Sequence, residues 1–211
     1  MTGHVITIAQ QKGGSGKTTL AINIAVEAVH RGLKVAVVDT DPQGSLGRWF
    51  MTRLENGQSP ELELSTASAW GVAYEVGKLS ESYDLVIVDT PPKADSDLRP
   101  ALRIADLVVV PVAASHVDLW ATEGVLDLAR REARAAVIVL NRLKSNTRLG
   151  AEIAGAATEL DAHLAQTHLA NRISYAEALG LGKGVREMPR AKKAALEIEA
   201  LFDELMAKLS G

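Results

Sequence analysis

Runs of consecutive apolar residues take turns along this chain with apolar residues spaced three and four apart. The alternation predicts strand and helix in succession from one end to the other. Residues 4–9 (HVITIA), 34–39 (KVAVVD), 85–88 (LVIV), 106–112 (DLVVVPV) and 135–140 (AAVIVL) are apolar at successive positions, the pattern of strands buried on both faces. Helical spacing marks 19–30, 98–105, 117–132, 148–163 and, from Pro189, the stretch to residue 209, with shorter helix-like segments at 45–54 and 68–78. Gly32 stands where a helix C-cap is expected, and residues 56–60 are polar and turn-rich. Residues 61–66 (ELELST) alternate as an edge strand does, and 166–173 reads as a last short strand. Six or seven such alternations predict an α/β fold in three layers, a mostly parallel twisted sheet covered by helices on both faces. With 211 residues and 47% hydrophobic content, the chain reads as one domain over 1–211.

The junction between the first strand and the first helix carries the chemistry. Residues 9–19 (AQQKGGSGKTT) set a glycine-rich turn at a helix start, where backbone N–H groups lack partners within the helix and the helix dipole is positive. Such a turn is an anion site. Gly13, Gly14 and Gly16 let the backbone approach a phosphate, with Ser15 and Thr19 in the same turn. Lys17 reaches the outer phosphates, and the Thr18 hydroxyl suits Mg²⁺. Asp39 and Asp41 follow the second strand and Asp89 ends the run at 85–88, on the sheet edge where parallel folds place ligands. Asp39 is expected to support Mg²⁺ or its waters, and Asp89 to hold a water of the Mg²⁺ shell.

The strict phosphate-loop pattern has glycine where this chain has Gln11. Lys12, Gly13, Gly14, Ser15, Gly16, Lys17 and Thr18 instead spell K-G-G-x-x-K-[ST], which resembles the deviant Walker A box of the ParA/MinD ATPases. The DxDPQGS string from Asp39, the DTPP string from Asp89 and Asn141 resemble further segments of that family, and the resemblance covers essentially the whole chain. It implies a phosphate-loop NTPase fold, with ATP and Mg²⁺ as cofactors of a slow, partner-stimulated ATPase. It further implies that Lys12 crosses an ATP-sandwich homodimer to the partner's nucleotide, that Asp41 orients the attacking water, and that Asn141 contacts adenine. Residues 90–92 and 95–97 resemble the segment that senses the γ-phosphate. The ATP-bound dimer is expected to coat non-specific DNA, without a separate DNA-reading domain. A ParB-like or cargo adaptor would release it, so as to segregate a plasmid or chromosome locus or to space a protein cluster. The implied location is cytoplasmic, and nucleoid-associated when ATP is bound.

Composition changes this picture in three places. The absence of cysteine excludes disulfides and thiolate-held metals or iron–sulfur clusters, and the five histidines show no metal-ligand spacing. The net charge of −3 speaks against nucleic acid, but the basic residues are bunched. Residues 130–148 hold six of them against one acid, and 183–193 hold five against one. Arg148, Lys183, Arg186, Arg190, Lys192 and Lys193 are the candidate DNA contacts. Two alternatives share the fold: a MinD-like ATPase that cycles on membranes, and a metabolic enzyme that couples ATP to small-molecule chemistry without dimerising. For the first, Leu196, Ile198, Leu201, Phe202, Leu205 and Leu209 make an apolar helix face, but Glu197, Glu199, Asp203 and Glu204 would be repelled by anionic lipid. That helix is expected to dock on its own core. No 18-residue apolar run or charged leader is present, so a cytosolic protein is expected.

Overall fold

A computed structural model describes residues 2–58, 61–92, 95–144 and 147–210, without the side chains of 95–97. Among the described residues, seven strands form one sheet: β1 His4–Ile8, β2 Val35–Asp39, β3 Leu62–Thr66, β4 Leu85–Asp89, β5 Leu107–Ala113, β6 Ala135–Asn141 and β7 His163–Leu164. Their order is β3-β2-β4-β1-β5-β6-β7, and every pairing is parallel. Apart from His4 at the start of β1 and Ala113 at the end of β5, the central strands β2, β4, β1 and β5 are buried because helices cover both faces. Alternate strand residues therefore feed two cores. Ile6, Ile8, Val35, Val37 and Ile87 pack with α1 (Lys17–His30) and α8 (Lys192–Leu209). Val108, Val110 and Ile138 face the other way, toward α4 (Asp95–Arg103) and α5 (His116–Arg131).

Two registers decide where a site can form. Ile8 lies opposite Asp89 across β1 and β4, and Asp39 lies opposite Asp89 across β2 and β4. Three strands thus end level, and the chain leaves each of them into one crevice. This is where strand order reverses around β1, the position at which open parallel sheets bind ligands.

Several segments depart from the sequence pattern. α3 runs Val72–Ser80, because residues 68–71 close a turn through Gly71 N–H and Ser68 C=O before the helix starts. α6 is Arg148–Thr158 and stops before 163, where Glu159 and Leu160 fold back onto Ala156 and Ala157. β7 sits at His163–Leu164 and not at 166–173, because the Gln166 and Thr167 amides donate to Glu204 of α8 and leave the ladder. An extended path resumes beside β6, with Leu169 N–H bonded to Leu140 C=O. α7 (Ile173–Gly180) and a 3-10 turn (Val185–Glu187) fall where no element was expected. α8 begins at Lys192, three residues after Pro189. Its Ile198, Leu201, Phe202 and Leu205 are buried and Leu209 packs against the same core, whereas Leu196 is 62% exposed and does not belong to that face. No described helix is long and apolar enough to cross a membrane. α2 occupies Ser45–Glu55, and residues 59 and 60 of the expected loop lie outside the described residues.

Candidate functional site

The glycine turn is held at both ends before any ligand is considered. Ala9 N–H donates to Val109 C=O. The fully buried Gln10 side chain donates to Thr122 Oγ1 at 3.0 Å and Pro111 C=O at 3.3 Å, and accepts from Gln11 N–H at 2.9 Å. The turn then uses left-handed backbone at Gly14 (φ 78°) and Gly16 (φ 94°), which side chains rarely tolerate. At Gly16 a Cβ would also lie 2.3 Å from Asn141 Nδ2, so both space and dihedral require glycine. Gly16 caps α1 without a side chain, and Gly16, Lys17, Thr18 and Thr19 line the crevice, at the helix end whose amides lack partners within the helix.

Lys17 is 7% exposed, and its Nζ lies 3.5 Å from Lys12 C=O. Burial lowers its pKa, while Asp89 and Asp41 pull the other way. Thr18 Oγ1 donates to Asp89 Oδ2 at 2.6 Å. Burial pushes Asp89 up to about 7 against the opposing Thr18 bond, with Asp39 adding to the rise. Asp89 Oδ1 and Ser15 Oγ are buried without a hydrogen-bond partner. Buried polar atoms of this kind are usually satisfied by a protein group, a ligand or ordered water. Asp41 borders the crevice with Oδ1 accepting from Gln43 N–H at 3.0 Å.

Two predicted residues have their polar atoms engaged by the protein itself. Asp39 accepts Asp41 N–H at 3.0 Å on one oxygen and Gly47 N–H at 3.1 Å on the other, so it shapes the loop that carries Asp41. Burial raises its pKa, and these two amides lower it. Asn141 donates from Nδ2 to Ser15 C=O at 2.8 Å and accepts Arg142 N–H at 2.9 Å, bracing the glycine turn. Thr90, in the expected phosphate-sensing segment, donates to Ile8 C=O at 2.8 Å, and Pro92 lines the crevice. The side chains of 95–97 lie outside the described residues.

The crevice encloses about 560 Å³ and is lined by Gly13, Lys17, Thr18, Asp41 and Arg142 among others. A recess of about 800 Å³ adjoins it, sharing Thr19, Arg142 and Leu179 and adding Asn141, Asn171 and Tyr175. Cleft and recess meet at Thr19, Arg142 and Leu179 and form one opening beside the glycine turn. Arg142 holds positive φ (53°), unusual for a residue with a side chain and common at functional positions. Apart from the Asn141 strand end, no sequence pattern marks this recess, whose walls come from separate connections. Lys12, expected to reach toward a partner, here bonds within its own chain to Asp118 Oδ2 at 2.5 Å and Ser115 Oγ at 3.4 Å. Ser115-x-x-Asp118 is a capping pattern visible in the sequence, but nothing there tied it to Lys12.

The basic residues do not form one patch. Arg186 is drawn inward to Glu27 (3.5 Å) and Glu199 (2.9 Å), Arg130 pairs with Asp127 and Asp161, and Arg148 pairs with Glu152. Lys183 is half-buried. Arg190, Lys192 and Lys193 are exposed and border one depression of about 610 Å³ at the start of α8. Among the described residues, no group of three or more His, Cys, Asp or Glu is arranged for a metal.

Comparison with known proteins gives concordant results. Residues 4–129 match the family described as ATPase MipZ. The chain is 30% identical over 242 residues to the chromosome-partitioning ATPase Soj of Thermus thermophilus, covering 97% of this chain and 96% of that one. It is 28% identical over 210 residues, 95% of each chain, to maintenance of carboxysome distribution protein A of Halothiobacillus neapolitanus. The solved McdA–ATP complex from Cyanothece shares the fold, with a TM-score of 0.80 at 19% identity over 97% of both chains.

Proposed function

The chain belongs to the MipZ/ParA family of ATPases, and from that premise we propose that it is a Mg²⁺-dependent ATPase whose ATP-bound form pairs into a dimer, coats DNA non-specifically and positions a cargo. The observation that carries this reading is the bond from Thr18 to Asp89 beneath a glycine turn bearing two lysines. The unpartnered Ser15 Oγ and Asp89 Oδ1 fit a bound nucleotide and a hydrated cation. Gly13, Gly14, Ser15, Gly16 and Thr19 cradle phosphate oxygens, and Lys17 neutralises their outer charge. Thr18 supplies a cation ligand, with Asp89 holding a water of that cation. The cation, when bound, neutralises charge that develops on the phosphates. Asp39 keeps the β2–α2 loop in shape, Asp41 orients the attacking water, and Asn141 fixes the floor of the turn below the base recess. Lys12 completes the partner's site. ATP favours pairing because the contact of Lys12 with the partner's nucleotide exists only in the dimer.

Arg190, Lys192 and Lys193 are the proposed DNA contacts, since Arg186 and Arg148 already have carboxylate partners. Pairing doubles such contacts, so that the dimer holds DNA which the monomer does not. The burial of the apolar face of α8 supports this reading over membrane cycling. A chromosome-partitioning protein and a carboxysome-distribution protein stand among the relatives, so the proposed cargo is a replicon or a protein cluster, linked through a stimulating adaptor. Sizing with ATP, with ADP, and with Asp41→Ala plus ATP, each with and without DNA, tests the reading. The expected result is an ATP-dependent dimer that accumulates in Asp41→Ala as turnover falls on the order of 100-fold. A monomer under every condition overturns it.

A further inference from the structure

The contact that holds Lys12 inside its own chain has a strength and placement that the proposed function leaves unused. Lys12 is 37% exposed, whereas Asp118 is 4% exposed, so the lysine meets a buried carboxylate at a surface opening. Ser115 donates a short hydrogen bond to the same Asp118 oxygen that takes Lys12. Asp118 stands in the first turn of α5 with Ser115 as N-cap, where its own N–H bonds to Ser115 Oγ and the helix dipole favours a negative charge. The first three turns of α5 also hold the residues just before Lys12. Gln10 bonds Thr122, and Gly124 leaves room for the Gln11 side chain, 3.1 Å from where a Cβ would stand.

Two consequences follow from this arrangement. Lys12 cannot reach a second molecule while it sits on Asp118. Its departure does not strand a bare buried charge, because Ser115 and the helix start remain with the carboxylate. The contact is therefore strong enough to hold and cheap enough to release. We propose that Asp118, supported by Ser115, is the positioning residue for Lys12: it stores the lysine on its own subunit until a nucleotide-loaded second copy competes for it, and so sets how readily the chain pairs.

The proposal rests on the nucleotide-bridged dimer described above, and two measurements separate its failure from failure of that reading. The first is the ATP-dependent dimerisation constant of wild type, Asp118→Asn, Lys12→Ala and the double variant. Asn keeps the shape of the turn and removes the charge. Asp118→Asn is expected to pair on the order of tenfold more tightly than wild type, as a charged hydrogen bond no longer has to break. In the Lys12→Ala background the same substitution is expected to change nothing, a coupling that a merely structural role would not produce. Equal or weaker pairing of Asp118→Asn overturns the storage role alone. Failure of wild type to pair with ATP overturns the dimer and the storage role together. The second measurement needs no dimer: the acetylation rates of single lysines in nucleotide-free protein, read by mass spectrometry. Lys12 is expected to react more slowly than Lys192 in wild type and to speed up in Asp118→Asn, whereas equal rates in wild type overturn the proposal.

Discussion

At Asp89 the fold and the proposed reaction make opposite demands on one side chain. Burial lifts it to about 7 from the ordinary 3.8, so the folded chain favours its protonated form. Its contribution to stability is therefore full below about pH 4 and is lost as the pH rises to about 7. The proposed cation needs the ionised form, so magnesium binding at this site is expected to depend on pH in the opposite direction. Titrating Mg²⁺ into the nucleotide complex between about pH 5.5 and 8 is expected to show affinity rising about tenfold per unit and levelling near pH 7. Asp89→Asn is expected to bind Mg²⁺ weakly and without that slope. A flat profile in wild type would remove Asp89 from the metal's surroundings. The residues of the turn were legible in the sequence because each works through its own type: glycine for space, lysine for charge, a hydroxyl for a cation. The partners of Lys12, Asp39 and Asn141 were not, because Asp118, Gly47 and Ser15 reach them only once the sheet has formed.

At the scale of elements, the chain is tied at a second place remote from the turn. Arg53 of α2 is 4% exposed and binds both Glu187 oxygens at 2.8 and 2.9 Å and Gly182 C=O at 3.1 Å, with its guanidinium over the Trp49 ring. It fastens α2 to the connection between α7 and α8. Arg53→Ala is expected to cost about 3 kcal/mol, read as a lowered urea midpoint, because a partly buried carboxylate loses its bidentate partner. A change below about 0.5 kcal/mol, the scale of ordinary surface substitutions, would show the tie to be dispensable. The strands β1, β2, β4, β5 and β6 could be read directly, since burial on both faces leaves consecutive apolar residues. α7 could not: it has eight residues, and its Ile173 is 77% exposed, so its apolar residues do not mark one face. The strand expected at 166–173 was misplaced because Leu169 and Ala170 are buried in an extended path, which leaves the same apolar trace as a strand.

At the scale of the whole molecule, a basic depression at the start of α8 stands on a chain of net charge −3. Salt dependence is the appropriate probe of such a surface. Lys192→Ala in an ATP-bound dimer is expected to weaken retention of DNA of any sequence and to reduce the slope of log affinity against log salt by about 2, one contact from each subunit. An unchanged slope would place DNA elsewhere. The strand order has a further consequence, for folding. β1 precedes the other described strands along the chain, yet its neighbours are β4 and β5, so its two edges stay bare until residues 85–113 join them. The brace from Asn141 comes later still. During folding the turn thus has no seat until the sheet has closed from β4 through β6, so a nucleotide rewards the late steps of assembly and not the early ones.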